Sequence, residues 1–396
     1  TGDIYTLFYE KGNELLNTNG HLVYITSNKW MRAGYGEKLR KYLSEETTPI
    51  VLIDLGPDIF ETATVDTNIL IFKKGLSDEK CRACILKEDF NDEGFYLNDY
   101  VKLNSILLDK FTSDSWLILS PIERSIKEKI EKYGTSLKDW DIQINYGIKT
   151  GCNEAFIIDG KKKDELIKQD PKSAEIIRPI LRGRDIKRFS YNFADLYLIN
   201  THNGVEQNGI PPVNIDDYPA VKKHLDVYYS KLKEREDKGI TPYNLRSCAY
   251  MEEFNKQKIV YQELTQGSQF AYDANGEYYI NNTAYLITGK ELKYLLAFLN
   301  STLINFVYSR FYSTRIGGKG VRWLYQNMIM LPIIKREKLQ KRTVKQINSL
   351  IDRVLTNENR TKKQMLDTEK LDILIYKIYK LTDEEMKFVS SSVRSK

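Results

Sequence analysis

The stretch GHLVYITSNKWMRAGYGEKLRKYLSEETTPIVLIDLG, residues 20–56 of this 396-residue chain, decides the fold of the N-terminal part. Two short apolar runs in it, HLVYITS (21–27) and PIVLIDLG (49–56), are typical of buried parallel strands. Between them, Leu39 and Leu43 follow the spacing of one helix face. Strand–helix–strand units of this size predict a doubly wound α/β domain, in which helices cover a parallel sheet.

The flanking segments extend this pattern on both sides. A helix is predicted before residue 17, because apolar or small residues recur there at helical spacing: Ile4, Leu7, Phe8, Gly12, Leu15 and Leu16. After the stretch, VDTNILIFKK (65–74) predicts a third strand. Sheets covered by helices usually have about five or six strands. Three strands therefore predict an incomplete domain that lacks its N-terminal portion.

Composition excludes several classes of protein. Hydrophobic residues make up 41% of the chain, and 27 Tyr with 15 Phe exclude a disordered protein. The formal net charge of +6 permits a polyanionic partner without requiring one. The sequence contains no apolar run of about 18 residues and no visible signal peptide. We therefore expect a soluble, cytoplasmic protein with no membrane partner.

The chain changes character after residue 75 and again after residue 139. Residues 76–140 are mixed and charged, and they predict a connector with a helix near Pro121–Tyr133. From Trp140 to Pro332, strand-like runs alternate with turns and with helical stretches at 216–233 and 290–311, which predicts an α+β domain. Within it, DANGEY (273–278) predicts a β-hairpin.

The last segment, residues 335–396, is rich in charge and predicts helices. One helix face is formed by Ile347, Leu350, Ile351 and Val354. A second face is expected from Leu371, Ile373, Leu374, Ile378 and Leu381.

The sequence carries no signature of catalysis. G-x-S-x-G, H-E-x-x-H and P-loop motifs are absent, and neither Gly34-Tyr35-Gly36 nor Gly318-Lys319-Gly320 continues to G-x-x-G. Asp58 and Glu61 resemble the start of a metal-dependent nuclease motif, but Ala63 stands where a lysine is needed. We therefore assign no catalytic and no cofactor-binding residue from the motifs.

Cysteine usage gives no metal site either. Cys81 and Cys84 form an isolated C-x-x-C pair, and none of the three His lies near it in the sequence. A structural zinc site needs four clustered ligands. Unlinked thiols in a reducing compartment account for the pair, so we expect no metal.

Two segments carry basic residues in a context that suits nucleic acid. RPILRGRDIKRF (178–189) places four cations beside a glycine turn, where they can face phosphates or guanine edges: Arg182, Arg184, Lys187 and Arg188. YSTRIGGKGVRWL (312–324) is a glycine-rich loop with Arg315, Lys319 and Arg322, able to approach a backbone closely. The alternative for each is an exposed charged loop or turn without a ligand.

The order of several blocks resembles a known family. GHLVYITSNKWMRAGYGEKLRKYL, IVLIDLG and IFETATVDTNILIFKK look like the second half of the gamma-class N6-adenine DNA methyltransferase domain, which is Rossmann-like. EIIRPILRGRDIKRF, KIVYQEL and LLAFLNSTLINFVYSRF resemble the target-recognition domain of Taq-type methyltransferases and type IIG restriction–modification enzymes. The closing LDILIYKIYKLTDEEMKFV also resembles the end of type IIG chains.

The resemblance implies a function and a cofactor. The full protein would transfer a methyl group from S-adenosylmethionine to adenine N6 in a specific double-stranded DNA sequence, and the resemblance allows an endonuclease upstream. In the family, an aromatic residue near the position of Phe60 stacks on the adenine that is flipped out of the duplex, as base-flipping enzymes require. A phenylalanine packed between strands is the alternative for Phe60.

The resemblance also implies a domain organisation without catalysis. The family's catalytic motif, an Asn or Asp followed by Pro-Pro and an aromatic, does not occur, because the sole Pro-Pro is Pro211-Pro212. We expect an incomplete Rossmann-like sheet (1–80), a connector (81–139), a target-recognition domain (140–334) and C-terminal helices (335–396). This chain alone is expected to bind no S-adenosylmethionine and to be inactive, and its oligomeric state is left open.

Three alternatives differ in biological role. A non-catalytic specificity subunit would carry two similar recognition domains, and no internal repeat is visible here. A phage-defence methyltransferase would share the architecture. A basic α+β protein without a DNA role is the third, since the mild net charge alone proves no partner.

Overall fold

The computed structural model describes residues 2–57, 59–60, 65–86, 90, 96–109, 111–313, 315–316, 320–356 and 362–394. The chain divides into two compact units, one formed by residues 1–127 and 314–319, the other by residues 128–313 and 320–396. Within the described residues, no helix has the length and apolar character needed to cross a membrane.

The first unit is an α/β domain around one sheet. Its elements are α1 (Tyr5–Leu15), β1 (His21–Ser27), α2 (Glu37–Glu46), β2 (Thr47–Gly56), β3 (Thr67–Lys74), β4 (Cys81–Ile85), α3 (Leu97–Asn104) and β5 (Ile106–Leu108). A fourth helix, α4 (Pro121–Tyr133), spans the boundary between the two units and has the predicted limits. Alternate residues of β2 face opposite sides, with Leu52 in the core that includes α1 and α2 and Ile53 in the core that includes α3.

Strand direction corrects the predicted parallel sheet. The order is β1-β3-β2-β4-β5, and β3 runs antiparallel to both of its neighbours, β1 and β2. Only β2 and β4 pair in parallel, and β5 is antiparallel to β4. Each apolar run was found correctly, but an apolar run has no direction, because parallel and antiparallel strands can both be fully buried.

The sheet also contains more strands than predicted. β4 and β5 lie within residues 81–139, which we predicted to be a connector, and they bring the sheet to five strands. The strand count therefore does not support an incomplete sheet. β4 was missed because its sequence, CRACI, is short and interrupted by an exposed Arg82.

The first helix buries a different face from the one predicted. Its buried residues are Tyr9, Gly12 and Asn13, whereas Ile4, Leu7, Phe8 and Leu15 are exposed. Gly12 is buried because a Cβ there would lie 2.7 Å from Leu22 Cδ2 of β1. Gly12 is thus the buried member of the predicted pattern, and the apolar spacing did not reveal that Tyr9 and Asn13 are buried beside it.

The second unit is the predicted α+β domain with its C-terminal helices. Its strands are β6 (Thr135–Ser136), β7 (Ile142–Tyr146), β8 (Ile157–Asp159), β9 (Ile177–Leu181), β10 (Ile186–Lys187), β11 (Ser190–Tyr191), β12 (Leu196–Ile199), β13 (Lys258–Gln262), β14 (Leu264–Thr265), β15 (Phe270–Asp273), β16 (Tyr279–Ile280), β17 (Ala284–Gly289), β19 (Gly320–Arg322) and β20 (Pro332–Ile333). The intervening β18 (Arg315–Ile316) lies in the segment 314–319, which is assigned to the first unit.

Helices surround these strands. They are α5 (Asn153–Phe156), α6 (Gly160–Gln169), α7 (Pro219–Asp226), α8 (Tyr229–Glu234), α9 (Leu292–Leu299), α10 (Thr302–Val307), α11 (Tyr325–Met328), α12 (Lys341–Thr356), α13 (Lys362–Ile378) and α14 (Asp383–Arg394). One turn of π-helix, Tyr308–Tyr312, continues α10. In α12 the predicted face is buried, but in α13 Ile375 and Tyr376 are buried and Ile373 is 48% exposed, which corrects the second predicted face.

Two four-stranded sheets organise this unit: an antiparallel one in the order β15-β13-β17-β7, and a mixed one in the order β16-β9-β12-β8, in which β16 and β9 pair in parallel. The predicted hairpin around Asn275-Gly276 is wrong. Gly276 does adopt a positive φ of 70°, but β15 pairs with β13 and β16 pairs with β9, so the turn passes the chain from one sheet to the other. The local turn signal was correct, and the pairing that it suggested was not.

Candidate nucleic-acid interface

The loop after β9 carries the first predicted cations and is anchored by its main chain. Gly183 N donates to Thr283 Oγ1 at 2.8 Å. A Cβ at position 183 would lie 2.6 Å from the Thr283 carbonyl oxygen and 3.0 Å from Gln262 Cγ. Only glycine allows this close approach, so the main chain at position 183 is held against residues 262 and 283.

Arg182 is engaged inside its own loop. Its Nε donates to Asp185 Oδ2 at 2.9 Å and its Nη2 to Asp185 Oδ1 at 2.8 Å, a bidentate ion pair. Burial acts to raise the pKa of Asp185, but hydrogen bonds from the Arg182 side chain and backbone outweigh it, so that this pKa lies below its usual range. Because its guanidinium is committed to Asp185, Arg182 shapes the loop.

Arg184 is the exposed cation of the same loop. Among the described residues its side chain forms no ion pair, while its carbonyl oxygen accepts a hydrogen bond from Lys187 Nζ at 2.7 Å. The half-buried Lys187 thus folds back over the loop, and the Arg184 guanidinium is available to a ligand in solvent.

Arg188 has a different environment from the other three predicted cations. Its Nε and Nη2 donate to the Asn300 carbonyl oxygen at 3.0 and 2.6 Å, and Nη2 lies 3.8 Å from Asp372 Oδ2 on α13. Burial lowers the pKa of Arg188 and raises that of Asp372, because desolvation disfavours both charges. These contacts tie the loop to α13, and a direct DNA contact of Arg188 stays a prediction.

The second basic segment is fixed by an aromatic stack. Trp323, directly after β19, stacks on Tyr308 with ring centroids 3.8 Å apart, and its Nε1 donates to Thr265 Oγ1 at 3.2 Å. β19 pairs with β14 in antiparallel register, so that Arg322 lies opposite Leu264. The Arg322 side chain is 44% exposed, and its Nε is 3.0 Å from Glu263 Oε1. Arg322 is therefore presented to solvent from a rigid support.

The structure gives no side-chain contacts for the other two cations of this segment. Arg315 belongs to the short strand β18, whose side chains are not described. Lys319 lies outside the described residues.

The structure brings the two basic segments together through residues 262–263 and 281–283. Gln262 packs against Gly183, and the next residue, Glu263, binds Arg322 and donates its N–H to the Thr283 carbonyl oxygen at 3.1 Å. The two segments, 178–189 and 312–324, are more than 120 positions apart in the sequence. We call the surface formed by 183–184, 262–263, 281–283 and Arg322 the basic edge.

Sequence reasoning missed residues that extend this edge. The Tyr146 hydroxyl, at the end of β7, donates to the Asn282 carbonyl oxygen. Burial, followed by the negative charge of Glu263, raises the pKa of Tyr146. Three residues further on, Lys149 Nζ lies 2.8 Å from Asp237 Oδ2, and Asp237 also holds Arg246 at 3.4 Å.

A cavity of about 300 Å³ lies beside these residues, lined among others by Tyr146, Lys149, Arg246 and Tyr250. An aromatic ring next to cations is a combination that suits an unstacked nucleotide. The signal in the sequence was weak, because Lys149 and Arg246 are isolated basic residues almost 100 positions apart.

Phe60, in the first unit, is 43% exposed and lies outside the core, so the alternative of a phenylalanine packed between strands is wrong. It follows β2, where Asp54 Oδ1 accepts from Asn28 Nδ2 at 2.8 Å and from Gly56 N at 3.3 Å. Gly56 has a positive φ of 70°, which turns the chain sharply before Phe60. An exposed ring after such a turn can stack on a base, and the contact stays a prediction.

The G-x-G pair at Gly34 and Gly36 does not form a ligand-binding glycine loop. Gly36, in the G-x-G pair closest to a glycine loop, packs so tightly that a Cβ would lie 2.7 Å from the Trp30 carbonyl carbon and 2.8 Å from Arg40 Nη1. This glycine accommodates packing and leaves no cradle for a ligand.

The cysteine pair is placed in the sheet. Cys81 and Cys84 are both buried in β4 and both are free thiols, and burial raises the pKa of Cys81 to about 12. Among the described residues, no group of three or more His, Cys, Asp or Glu side chains could hold a metal ion.

Two family models match separate parts of the chain. Residues 178–333 match the TaqI-like C-terminal specificity domain, and residues 1–60 match the Eco57I restriction-modification methylase. The first match includes the whole loop after β9, residues 262–263 and 281–283, and Arg322. The basic edge thus falls inside the segment that matches a specificity domain.

Curated relatives agree with these matches. The type II methyltransferase M.BstVI of Geobacillus stearothermophilus is 22% identical over 419 residues, which cover 99% of this chain and 69% of that protein. The type II restriction enzyme and methyltransferase RM.Eco57I of Escherichia coli is 27% identical over 159 residues, which cover 39% of this chain and 16% of that protein.

A solved structure shares the fold. The type IIL restriction–modification enzyme MmeI, determined in complex with DNA, superposes with a TM-score of 0.61 at 13% identity. The superposition covers 99% of this chain and 52% of the MmeI chain, so this chain spans about half of that enzyme. The chain is therefore similar to type II restriction–modification methyltransferases, and its residues 178–333 match a TaqI-like specificity domain.

Proposed function

We propose that this chain supplies DNA-sequence recognition to an N6-adenine methyltransferase that uses S-adenosylmethionine and flips its target base out of double-stranded DNA. The observation that carries the proposal is the basic edge, where two distant basic segments meet within the segment that matches a specificity domain. A surface that reads DNA needs exposed cations on a rigid support, because phosphate contacts position the protein and base contacts specify the sequence.

The residues of the edge divide into supports and contacts. Arg182 and Gly183 hold the loop, while the exposed Arg184 and the partly exposed Arg322 face solvent. Arginine donates two hydrogen bonds to guanine O6 and N7, or binds a phosphate, with the same guanidinium. We propose Arg184 and Arg322 as DNA contacts, and Lys187 as a phosphate contact that must first leave the Arg184 carbonyl oxygen.

In the first unit, Phe60 is proposed to stack on the flipped adenine. Its exposed ring supports this role, since a base outside the duplex needs an aromatic or apolar platform. We assign S-adenosylmethionine to the whole enzyme and propose no residue of this chain as its ligand, because the sequence carries no glycine-loop motif for it.

Selection from a randomised duplex library tests the proposal. Bound duplexes are recovered and sequenced over several rounds, and affinity for the enriched sequence is then measured at increasing salt. We expect one enriched motif and an affinity that falls as salt rises, because phosphate contacts release counterions. A library that stays random, or binding that does not depend on salt, would contradict the proposal.

A further inference from the structure

The outward face of the helix pair α12–α13 forms a groove of about 560 Å³ that has no part in the basic edge. From α12 it is lined by Arg342, Lys345, Gln346, Ser349, Leu350 and Arg353, and from α13 by Lys370, Ile373, Leu374 and Lys377. On each helix these residues recur at intervals of three and four, so each set forms one continuous face.

The rim of the groove is positive. Five of the lining residues are cations and none is a carboxylate. Arg353 is paired with Asp367, at 3.1 Å from both carboxylate oxygens, and Lys370 lies 4.0 Å from Asp367. Arg342, Lys345 and Lys377 form no ion pair with the part of the chain that the structure describes. The groove therefore has positive charge that the described residues leave unneutralised.

The floor of the groove is apolar. Ile373 is 48% exposed at its centre, beside the half-buried Leu374 and the buried Leu350. The predicted amphipathic pattern of α13 placed Ile373 in the core, and the structure turns it outward instead. When an apolar group covers an isoleucine that is exposed between cations, apolar surface is removed from water and the free energy falls.

The groove faces away from the contact between α13 and the recognition loop. Asp372, which binds Thr302 and lies near Arg188, is directed toward that loop. At about 100° per residue, Asp372 lies roughly 150° around the helix from the mean direction of the α13 groove residues. A ligand in the groove is therefore on the opposite side of α13 from Arg188.

We propose that this groove binds an acidic amphipathic α-helix of a protein partner. Apolar anchors at intervals of three and four would cover Ile373 and Leu374, and flanking carboxylates would pair with Arg342, Lys345 and Lys377. Arg342 and Arg353 are eleven positions apart on α12, so the groove is about 16 Å long and accommodates about three turns of a bound helix. DNA fits less well, since its phosphates bind cations and hydrogen-bond donors and would leave the apolar floor uncovered.

A designed peptide tests the groove on the whole chain. The probe is a labelled helical peptide of about four turns, with Leu on one face and Glu on both flanks. Its affinity is measured by fluorescence anisotropy, beside a peptide in which Gln replaces each Glu. We expect the Glu peptide to bind and the Gln peptide to bind about tenfold more weakly or worse, because the charge pairs are lost.

Two variants distinguish the groove from general basicity. Lys345→Glu with Lys377→Glu should weaken the Glu peptide about tenfold or more, and Ile373→Ser should weaken it without any change of charge. The matched control is Lys168→Glu, an exposed lysine on α6 outside the groove, which should leave peptide affinity unchanged. Circular dichroism of each variant verifies that it folds.

Other outcomes overturn the proposal. Equal binding of the Glu and Gln peptides, or loss of affinity in the control as great as in the groove variants, means that charge in the groove is not recognised. If the groove variants weaken duplex DNA binding and the peptide does not compete with DNA, the groove belongs to DNA. Failure of the peptide to bind in a chain that still selects a DNA motif rejects this inference and leaves the recognition function intact.

Discussion

Arg188 and Asp372, which are 184 positions apart in the sequence, face each other with Nη2 and Oδ2 3.8 Å apart. Asp372 also accepts hydrogen bonds from Thr302 N at 2.7 Å and Thr302 Oγ1 at 2.6 Å. The C-terminal helix α13 is thereby tied both to the recognition loop and to the start of α10. These contacts join the C-terminal segment to the loop after β9 and to α10 within the second unit.

Replacing Asp372 by alanine should lower the free energy of unfolding by about 1–3 kcal/mol, because Thr302 loses its acceptor and the partly buried Arg188 loses its opposite charge. Urea denaturation measures the change. The matched control is Asp352→Ala, which removes the exposed pair between Lys293 and Asp352 and should cost less than about 1 kcal/mol. Equal losses in the two variants would show that the contacts of Asp372 are no stronger than a surface pair.

Substitutions of Arg184 and Arg182 should have different effects on DNA affinity and on stability. Arg184→Ala should weaken binding to the selected duplex by about 1–3 kcal/mol if it contacts a base, with no loss of stability, because its side chain is exposed. Arg182→Ala should lower stability as well as affinity, since Asp185 loses its bidentate partner. Titration of labelled duplex and urea denaturation measure the two effects, and an Arg184→Ala variant with unchanged affinity contradicts the assigned contact.

Gly183→Ala should displace the recognition loop. The added methyl group would lie 2.6 Å from the Thr283 carbonyl oxygen, so the loop must shift at a cost of about 1–3 kcal/mol. Gly34→Ala is the control, because nothing lies within 4 Å of a Cβ at that position. Thermal unfolding and duplex binding are measured for both, and a Gly183→Ala variant as stable and as tightly binding as the parent rejects the anchoring role of this glycine.

Alkaline pH should destabilise the protein above about pH 10. Burial raises the pKa of Tyr9 to about 12, so its neutral form is favoured in the folded state. Its contribution to stability is complete below pH 10, the pKa of an unfolded tyrosine, and is lost as the pH rises from 10 to 12.

Unfolding free energies measured between neutral pH and about pH 11 test this dependence. Tyr9→Phe should flatten the alkaline decline, because one group whose pKa differs between the folded and unfolded states is removed. Tyr96→Phe, at a residue that is 82% exposed, should leave the decline unchanged. An alkaline decline that Tyr9→Phe leaves as steep as before assigns the loss of stability to other groups.

Methyl transfer separates the role of this chain from that of the whole enzyme. The chain alone should transfer no labelled methyl group from S-adenosylmethionine to DNA, because its sequence lacks the Asn-Pro-Pro-type motif. In a full-length enzyme, Phe60→Ala should lower kcat/KM, because the transition state loses the stacking of one base, which contributes about 1–3 kcal/mol. Saturable transfer by the pure chain contradicts the first expectation, and an unchanged kcat/KM contradicts the second.

Local features of the sequence predicted local structure well. The limits of α4 at Pro121 and Tyr133 and the buried face of α12 follow from helical periodicity, which depends only on near neighbours. The direction of β3 and the separate pairing of β15 and β16 depend on residues far away in the sequence. The turn at Gly276 illustrates this, because Asp273 before it is held by the buried Lys258 of β13, at 2.6 Å, and by the turn's own N–H groups.

The sequence predicted which types of residue form the candidate site, but it did not predict how they are arranged. The basic residues of both segments were visible as runs of cations, but their different roles were not. Arg182 and Arg188 each donate to partners in the fold, and nothing in the run distinguishes them from the exposed Arg184. Tyr146 and Lys149 were missed because only the contact between residues 146 and 282 brings them to the edge.

The anchoring of Gly183 to Thr283 bears on how such a protein acquires a new target. The loop is positioned by a main-chain N–H and by the space that a missing side chain leaves, and neither depends on what occupies position 184. On the proposed function, a substitution at position 184 would change the hydrogen-bonding pattern offered to a base pair, while the contact between Gly183 and Thr283 would remain. Related proteins could then acquire different target sequences by single substitutions at this position, because the main-chain contact that anchors the loop would be retained.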